Sequence, residues 1–154
     1  MEADLEMEME TVRVATMEQL AEALSVRRRV FVEEQGVPSE LEWDEYDASP
    51  SACRHFLVRD GDVAVAAGRW RDYGQGLAKF QRIAVLPSHR GRSVGRLLMQ
   101  AMEEDARGQG CLGVVLDAQL AAEPFYRKLG YAAKTGETFW DAGIPHVRMG
   151  KIWT

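Results

Sequence analysis

The chain has 154 residues, of which 46% are apolar and 28% are charged, and its formal net charge is −5. These values are typical of one soluble globular domain and exclude a strongly basic nucleic-acid-binding protein. Two cysteines are too few for a disulfide framework, and no run approaches the roughly 20 apolar residues of a membrane span. We therefore expect a cytoplasmic protein that binds no metal and has neither nucleic acid nor membrane as a partner.

The first elements are predicted to be a strand and a helix. Five carboxylates alternate with Met, Ala and Leu in residues 1–10, which we interpret as a flexible acidic tail. Residues 11–154 are then expected to form a single domain. Residues 11–15 alternate like a strand, and Thr16 with Gln19 predicts a capping box that starts a helix.

Three consecutive arginines, residues 27–29, lie near the end of that helix. A solvated or carboxylate-paired helix end explains them better than a phosphate site does. Residues 36–51 show no periodicity and predict a loop with a short helix. Two strand-like runs follow, residues 55–59 and 63–71, and the Asp-Gly turn between them predicts an antiparallel hairpin.

The second half of the chain predicts a strand, a helix, a strand, a helix and two final strands. In chain order these are residues 79–86, 94–108, 111–116, 122–129, 131–137 and 147–152. A strand–helix–strand unit places its two strands parallel, whereas hairpins are antiparallel. The pattern therefore predicts an α/β (α+β) fold, with a mixed, mostly antiparallel sheet, a parallel pair near its centre and about four helices.

The most informative stretch is residues 80–95, which reads F-Q-R-I-A-V-L-P-S-H-R-G-R-S-V-G. It predicts a strand, a turn and a helix start, where free backbone N–H groups bind phosphate. Gly91 allows the backbone to approach the anion closely, and Arg90 and Arg92 add charge-assisted hydrogen bonds. The spacing is that of neither a P-loop nor the dinucleotide-binding fingerprint.

This stretch resembles the acyl-coenzyme A signature of the GNAT superfamily, which is Arg or Gln, two residues, Gly, one residue, then Gly or Ala. Arg90 and Gly95 match it, and Ser93 replaces the middle glycine. Residues 116–131, which contain F-Y-R-K-L-G-Y, are similar to the second landmark of the superfamily. The F-V-E-E-Q-G-V-P and G-I-P-H-V-R-M segments look like the ElaA/YjcF-like branch.

The resemblance implies a GNAT acyl-coenzyme A N-acyltransferase fold, in which the central parallel strands splay around acetyl-coenzyme A. It also implies transfer of an acetyl group to a primary amine of a small molecule or peptide, by direct attack on the thioester. The positions matching the cofactor site are Ile83, Ala84, Val85, Arg90, Gly91, Arg92, Ser93, Val94, Gly95 and Gln119.

Tyr126 matches the tyrosine that protonates the departing thiolate in many family members, and a phenol of pKa roughly 10 suits that role. Gln81 occupies a position that is often Glu, and an amide cannot accept a proton. Glu34 and His146 are therefore the candidate general bases, unless the amine arrives already deprotonated. Gln81 and Ser93 also leave open an alternative, a non-catalytic acyl-coenzyme A-binding or regulatory protein.

The acceptor pocket is expected between the loop at 32–47 and the segment at 138–149. An aromatic wall and several carboxylates that attract a cationic amine are predicted there. The aromatic residues are Trp43, Tyr46, Phe139 and Trp140, and the carboxylates are Glu33, Glu34, Asp44, Glu45 and Asp47. The sequence leaves the choice between a monomer and a homodimer open.

Overall fold

The computed structural model describes residues 9–153, which form one seven-stranded sheet with helices packed against it. The strands are β1 (Met9–Arg13), β2 (Arg54–Asp60), β3 (Val63–Gly74), β4 (Leu77–Val85), β5 (Gly113–Gln119), β6 (Ala132–Asp141) and β7 (Ile144–Ile152). The α-helices are α1 (Met17–Arg27), α2 (Ser39–Glu42), α3 (Val94–Gly108) and α4 (Glu123–Lys128).

The strand order is β1-β2-β3-β4-β5-β7-β6. Neighbouring strands are antiparallel except for β4 and β5, which are parallel and lie near the centre of the sheet. The helix α3 connects this parallel pair. The predicted mixed sheet with a parallel pair and about four helices is therefore confirmed.

The parallel pair separates towards the carboxyl ends of its strands. Its ladder runs from Leu77 opposite Gly113 to Phe80 opposite Leu116, whereas β4 continues to Val85. The separation coincides with a β-bulge at Arg82, which has a φ of 59°. Two residues of β4, Arg82 and Ile83, there face one residue of β3, Gly68, and an extra residue of this kind bends a strand.

Both long helices pack on the sheet through their apolar faces. Leu20 and Ala23 of α1 are each 1% exposed, and Leu98 and Met102 of α3 are fully buried. The predicted capping box starts α1, since Gln19 N donates to Thr16 Oγ1 over 3.1 Å while Thr16 N donates to Gln19 Oε1 over 3.2 Å. Beyond α1, residues Arg28–Glu34 continue as a π-helix, which the sequence did not predict.

Two buried arginines fix the loop after α1. The side chain of Arg27 donates to Glu42 over 2.7 Å and to Asp47 over 2.7 Å. From β3, Arg69 donates to Asp44 over 2.6 and 2.7 Å and to Asp47 over 2.8 Å. The predicted loop with a short helix is present, and one arginine of the predicted run is carboxylate-paired.

Several strand limits differ from the prediction. Met9 and Glu10 belong to β1, while residues 1–8 of the predicted tail lie outside the described residues. β5 begins at Gly113 rather than at 111 and extends to Gln119, because its ladder with β7 continues where the apolar run has ended. β7 begins at Ile144, three residues before the predicted start.

Candidate functional site

A cleft of about 1150 Å³ opens where β4 and β5 separate. Side chains and backbone from both strands, the turn before α3, and α4 line it. All the predicted cofactor-binding positions except Arg92 belong to this lining. The sequence signature and the sheet topology therefore converge on one cavity.

One end of the cleft is the turn that leads into α3. Gly91 has a φ of 75°, and Ser93, the residue preceding the helix, has a φ of 64°. The left-handed conformation of Ser93 explains why the superfamily signature has glycine at this position. Ser93 makes no side-chain cap, so the first-turn N–H groups of α3 are available to an anion at the positive end of the helix dipole.

Arg90 lies beside this turn and already has two partners. Its Nε donates to the carbonyl oxygen of Val85 over 3.0 Å, and its two terminal nitrogens donate to the carboxylate of Glu34. This hydrogen-bonded pairing lowers the pKa of Glu34. Glu34 is not part of the cleft lining, and Arg92 lies 4.0 Å from Asp60, so the structure does not bring these two predicted site residues to the cleft.

Gly95 allows α3 and α4 to approach each other. A Cβ atom at this position would lie 3.0 Å from the ring of Phe125 and 3.7 Å from the side chain of Val85. The first of these distances is shorter than most carbon–carbon contacts. Gly95, the last residue of the signature, therefore has a packing role here in addition to any contact with a ligand.

Tyr126 of α4 lines the cleft and is 7% exposed. Its ring packs edge-on against Phe125 and Tyr131, with centroid distances of 5.0 and 6.0 Å. Burial raises the pKa of Tyr126 above its ordinary value, so the phenol is a weaker acid than the sequence suggested. Its position in the cleft lining makes the hydroxyl a candidate proton donor to a ligand there.

His146 of β7 also lines the cleft, opposite Gln119 of β5. Its Nδ1 lies 2.7 Å from the carbonyl oxygen of Ile144, and its ring stacks on Phe139 with a centroid distance of 5.8 Å. A carbonyl oxygen only accepts, so Nδ1 carries a hydrogen. In the neutral ring Nε2 is then free to accept a proton.

Gln119 and Gln81 have different surroundings. The amide of Gln119 exchanges two hydrogen bonds with the amide of Gln35, of 2.8 and 3.1 Å. The carbonyl oxygen of Gln81 accepts from Arg69 over 3.2 Å. Gln81 lies in the cleft but offers no basic group, so His146 is the one candidate base of the sequence analysis that lines it.

The predicted aromatic wall is wrong. None of its four residues lines the cleft, and two of them, Trp43 and Trp140, are 51% and 74% exposed. Tyr46 instead lies against the guanidinium groups of Arg69 and Arg71, 5.5 and 5.2 Å from the ring centroid. Trp43 and Tyr46 lie in the loop after α1, whose short turns have no periodicity that fixes the direction of a side chain.

The carboxylates predicted to attract a cationic amine do not line the cleft either. Asp44 and Asp47 are occupied by the buried arginines of the loop network, and the other three predicted carboxylates do not reach the cleft. Five polar residues that were not predicted from the sequence line the cleft instead: Arg71, Tyr73, Lys79, Asp117 and Arg148. For Arg71 and Tyr73 the signal was the alternation of polar residues along β3, at 69, 71 and 73.

Residues 9–153 contain neither a candidate membrane-spanning helix nor a candidate metal site. No helix in this part of the chain is long and apolar enough to cross a membrane. The same residues contain no group of three or more His, Cys, Asp or Glu side chains arranged to hold a metal ion.

The profile of the acetyltransferase (GNAT) family matches residues 17–131. YjcF of Bacillus subtilis, named an uncharacterized N-acetyltransferase, is 46% identical over 143 residues, which cover 93% of this chain and 99% of YjcF. The uncharacterized YyaT of the same organism is 40% identical over 139 residues, covering 90% and 93% of the two chains.

A solved structure extends this likeness to three dimensions. The crystal structure of ElaA from Escherichia coli superposes with a TM-score of 0.79. It is 29% identical in sequence, and the match covers 94% of this chain and 98% of ElaA.

Proposed function

The chain belongs to the acetyltransferase (GNAT) family, and we propose that it transfers an acetyl group from acetyl-coenzyme A to a primary amine of a small molecule or peptide. The proposal rests on one observation. A single cleft contains an anion-binding helix start at one end and, further along, both a phenol and a histidine with a free ring nitrogen.

We assign the pyrophosphate and the pantetheine arm of the cofactor to different parts of this cleft. The pyrophosphate binds at Gly91 and the first turn of α3, where backbone N–H groups and the charge of Arg90 meet. The pantetheine arm follows the stretch of β4 from Ile83 to Val85, which has separated from β5. Its amide groups then replace the hydrogen bonds that a neighbouring strand would have made.

The reaction consists of one bond formed and one broken. The nitrogen of the neutral amine attacks the thioester carbonyl carbon, and the carbon–sulfur bond breaks as the amide forms. His146 Nε2 accepts the proton that the ammonium loses, and the hydroxyl of Tyr126 protonates the departing thiolate. A backbone N–H of β4 stabilises the negative charge on the carbonyl oxygen. The nitrogen loses a second proton as the amide forms, and this proton passes through water to Tyr126 and restores its hydroxyl.

Isothermal titration with acetyl-coenzyme A tests whether the cofactor binds in the cleft as proposed. We expect micromolar binding to the wild-type chain and its loss in an Arg90→Ala, Gly95→Trp double variant. Because Gly95→Trp also crowds Phe125, the single variant Arg90→Ala and a thermal melt of each protein accompany it. An Arg28→Ala variant, in which an exposed arginine outside the cleft is removed, is the matched control.

A second assay tests transfer of the acetyl group. It measures the release of free thiol from acetyl-coenzyme A in the presence of each amine of a panel. Product formation that requires both substrates supports the proposal. Tight cofactor binding with no product from any amine would instead identify a non-catalytic acyl-coenzyme A-binding protein. Absence of cofactor binding would overturn both functions.

A further inference from the structure

Cations surround a single carboxylate on the sheet floor of the cleft. Lys79 of β4 is 6% exposed and donates to Asp117 of β5 over 2.9 Å. Arg148 of β7 lies opposite Asp117 and donates to the same carboxylate over 2.8 and 3.1 Å. Arg71 of β3 lies opposite Lys79 and completes the row. Three cations and one carboxylate leave this group, which we call the cationic row, with a net charge of +2.

Arg71 is the member of the row without a carboxylate bond. Its Nε is buried and has no hydrogen-bond partner within residues 9–153. The hydrogen bond that it does make runs from Nη1 to the carbonyl oxygen of Asp72, over a long 3.5 Å. By contrast, Arg69, two residues earlier on the same strand, makes short hydrogen bonds to two carboxylates.

An orphaned donor of this kind indicates a missing acceptor. Buried polar groups in folded proteins are nearly always paired, and a guanidinium prefers a carboxylate or a phosphate. Arg71 lines the cleft, so a ligand in the cleft has access to it. Asp117, the one carboxylate of the row, is already paired with both Lys79 and Arg148, so it does not also neutralise Arg71.

The phosphates of the cofactor are too far away to be this acceptor. They are assigned to the turn beside Arg90, which binds the carbonyl of Val85 at the end of β4. Lys79 precedes Val85 by six residues on the same strand, a separation of about 20 Å at the usual rise of a strand. The cationic row therefore lies at the opposite end of the strand from the pyrophosphate, on the acceptor side.

We infer that the acceptor amine carries an oxyanion, a carboxylate or a phosphate, which binds to Arg71 and Lys79. This inference rests on the proposed function and names its substrate class. It reverses the expectation of carboxylates that attract a cation, because Asp44 and Asp47 are paired with Arg69 and Arg27 and none of the five predicted carboxylates lines the cleft. The anion of the substrate binds the row while its amine faces the thioester.

Matched acceptor pairs test the inference. Glycine is compared with glycinamide, β-alanine with β-alaninamide, and 2-aminoethyl phosphate with 2-aminoethanol, with thiol release measured for each. We expect kcat/KM for at least one anionic member to exceed that of its neutral partner about tenfold or more, the scale of one charge-assisted contact. The carboxylate and phosphate pairs also show which oxyanion is preferred.

The variant Arg71→Gln removes the charge and keeps a polar side chain. We expect it to raise KM for the preferred anionic acceptor about tenfold, to affect the neutral partner far less, and to leave the Kd of acetyl-coenzyme A unaltered. Arg28→Gln, outside the cleft, is the control that alters neither acceptor. Equal kcat/KM for charged and neutral partners, or an equal loss on both in Arg71→Gln, overturns the inference.

Direct titration separates this inference from the proposed function. The same acceptor pairs are titrated into the protein in the presence of coenzyme A, without turnover. Binding of the anionic members that Arg71→Gln abolishes supports the oxyanion site even if no acetyl group is transferred. Cofactor binding without any selective binding of the anionic members would overturn the site and leave the acetyltransferase proposal intact.

Discussion

Both terminal nitrogens of Arg90 donate to the carboxylate of Glu34, each over 2.7 Å. Arg90 is also the charged side chain that we assign to the cofactor pyrophosphate. The carboxylate of Glu34 therefore competes with the cofactor for the same guanidinium. We therefore propose that Glu34, a candidate base in the sequence, acts on cofactor affinity rather than on the acceptor amine.

Replacing Glu34 by Gln is expected to tighten the binding of acetyl-coenzyme A about two- to fivefold at low salt. The reason is that an exposed ion pair of about 0.2–1 kcal/mol no longer competes with the pyrophosphate. Titration calorimetry measures the Kd, and Arg90→Ala is the opposite variant, with weakened binding. A hundredfold loss of kcat in Glu34→Gln would show instead that this carboxylate is the general base.

Replacing Tyr126 by Phe is expected to lower kcat by roughly 10², the lower end of the usual contribution of a general acid. The ring contacts with Phe125 and Tyr131 are retained, so the fold and the Kd of acetyl-coenzyme A should change little. Thiol-release kinetics and a thermal melt measure the two effects separately. An unchanged kcat would remove Tyr126 from the reaction.

Replacing His146 by Gln is expected to lower kcat/KM by roughly 10² near neutral pH, because the ammonium then has no protein group to take its proton. The deficit should shrink as the pH rises towards the pKa of the acceptor amine, since the amine then arrives neutral. Rate profiles of both proteins between about pH 7 and pH 10 measure this. Parallel profiles would indicate that His146 only supports the cleft.

Asp47 is expected to make stability depend on pH under acid conditions. Burial alone would raise its pKa, but the hydrogen bonds and charges of Arg27 and Arg69 lower the pKa from 3.8 to about 2. A carboxyl with a lowered folded-state pKa stabilises the protein above its unfolded-state pKa. Its contribution, about 2 kcal/mol, is lost as the pH falls from about 4 through 2.

The variant Asp47→Asn tests this assignment. It leaves two buried arginines short of a counter-charge and is expected to cost about 3–5 kcal/mol of unfolding free energy at neutral pH. Urea unfolding at several pH values measures both the loss and its disappearance at low pH. Glu104→Gln, at an exposed position on α3, is the control with an unchanged profile.

Local signals in the sequence predicted much of the fold. The hairpin turn at Asp60, Gly61 and Asp62 and the capping box at Thr16 act through nearest neighbours, so they are legible without tertiary structure. The parallel pair followed from the order of elements. The π-helix at Arg28–Glu34 was not predictable, because its extra residue per turn reflects how the chain leaves α1 for the loop.

The sequence predicted the residues at the helix-start end of the cleft but not those at its opposite end. The turn at Gly91 to Gly95 is one contiguous segment, whereas the cationic row takes one side chain from each of four strands. Arginines adjacent in sequence also have different surroundings. Arg27 is buried between two carboxylates and Arg28 is exposed, and only the path of the distant loop decides which is which.

The extra residue at Arg82 interrupts the alternation of side chains along β4, so odd-numbered residues before it and even-numbered residues after it share one face. Gln81 pairs with Arg69, and Ala84 pairs with Ala67, so these two residues of β4 point to the same face although they are three positions apart. Ile83 therefore points towards Met102 and Leu98 of α3. Without the extra residue, Ile83 alone would lie opposite Gly68 and Ala84 would still lie opposite Ala67, so both halves of the strand would keep their faces and only the bend would be lost. In relatives, loss of this one residue would straighten the strand and preserve its two faces, whereas a strand of the same length without a bulge would exchange them.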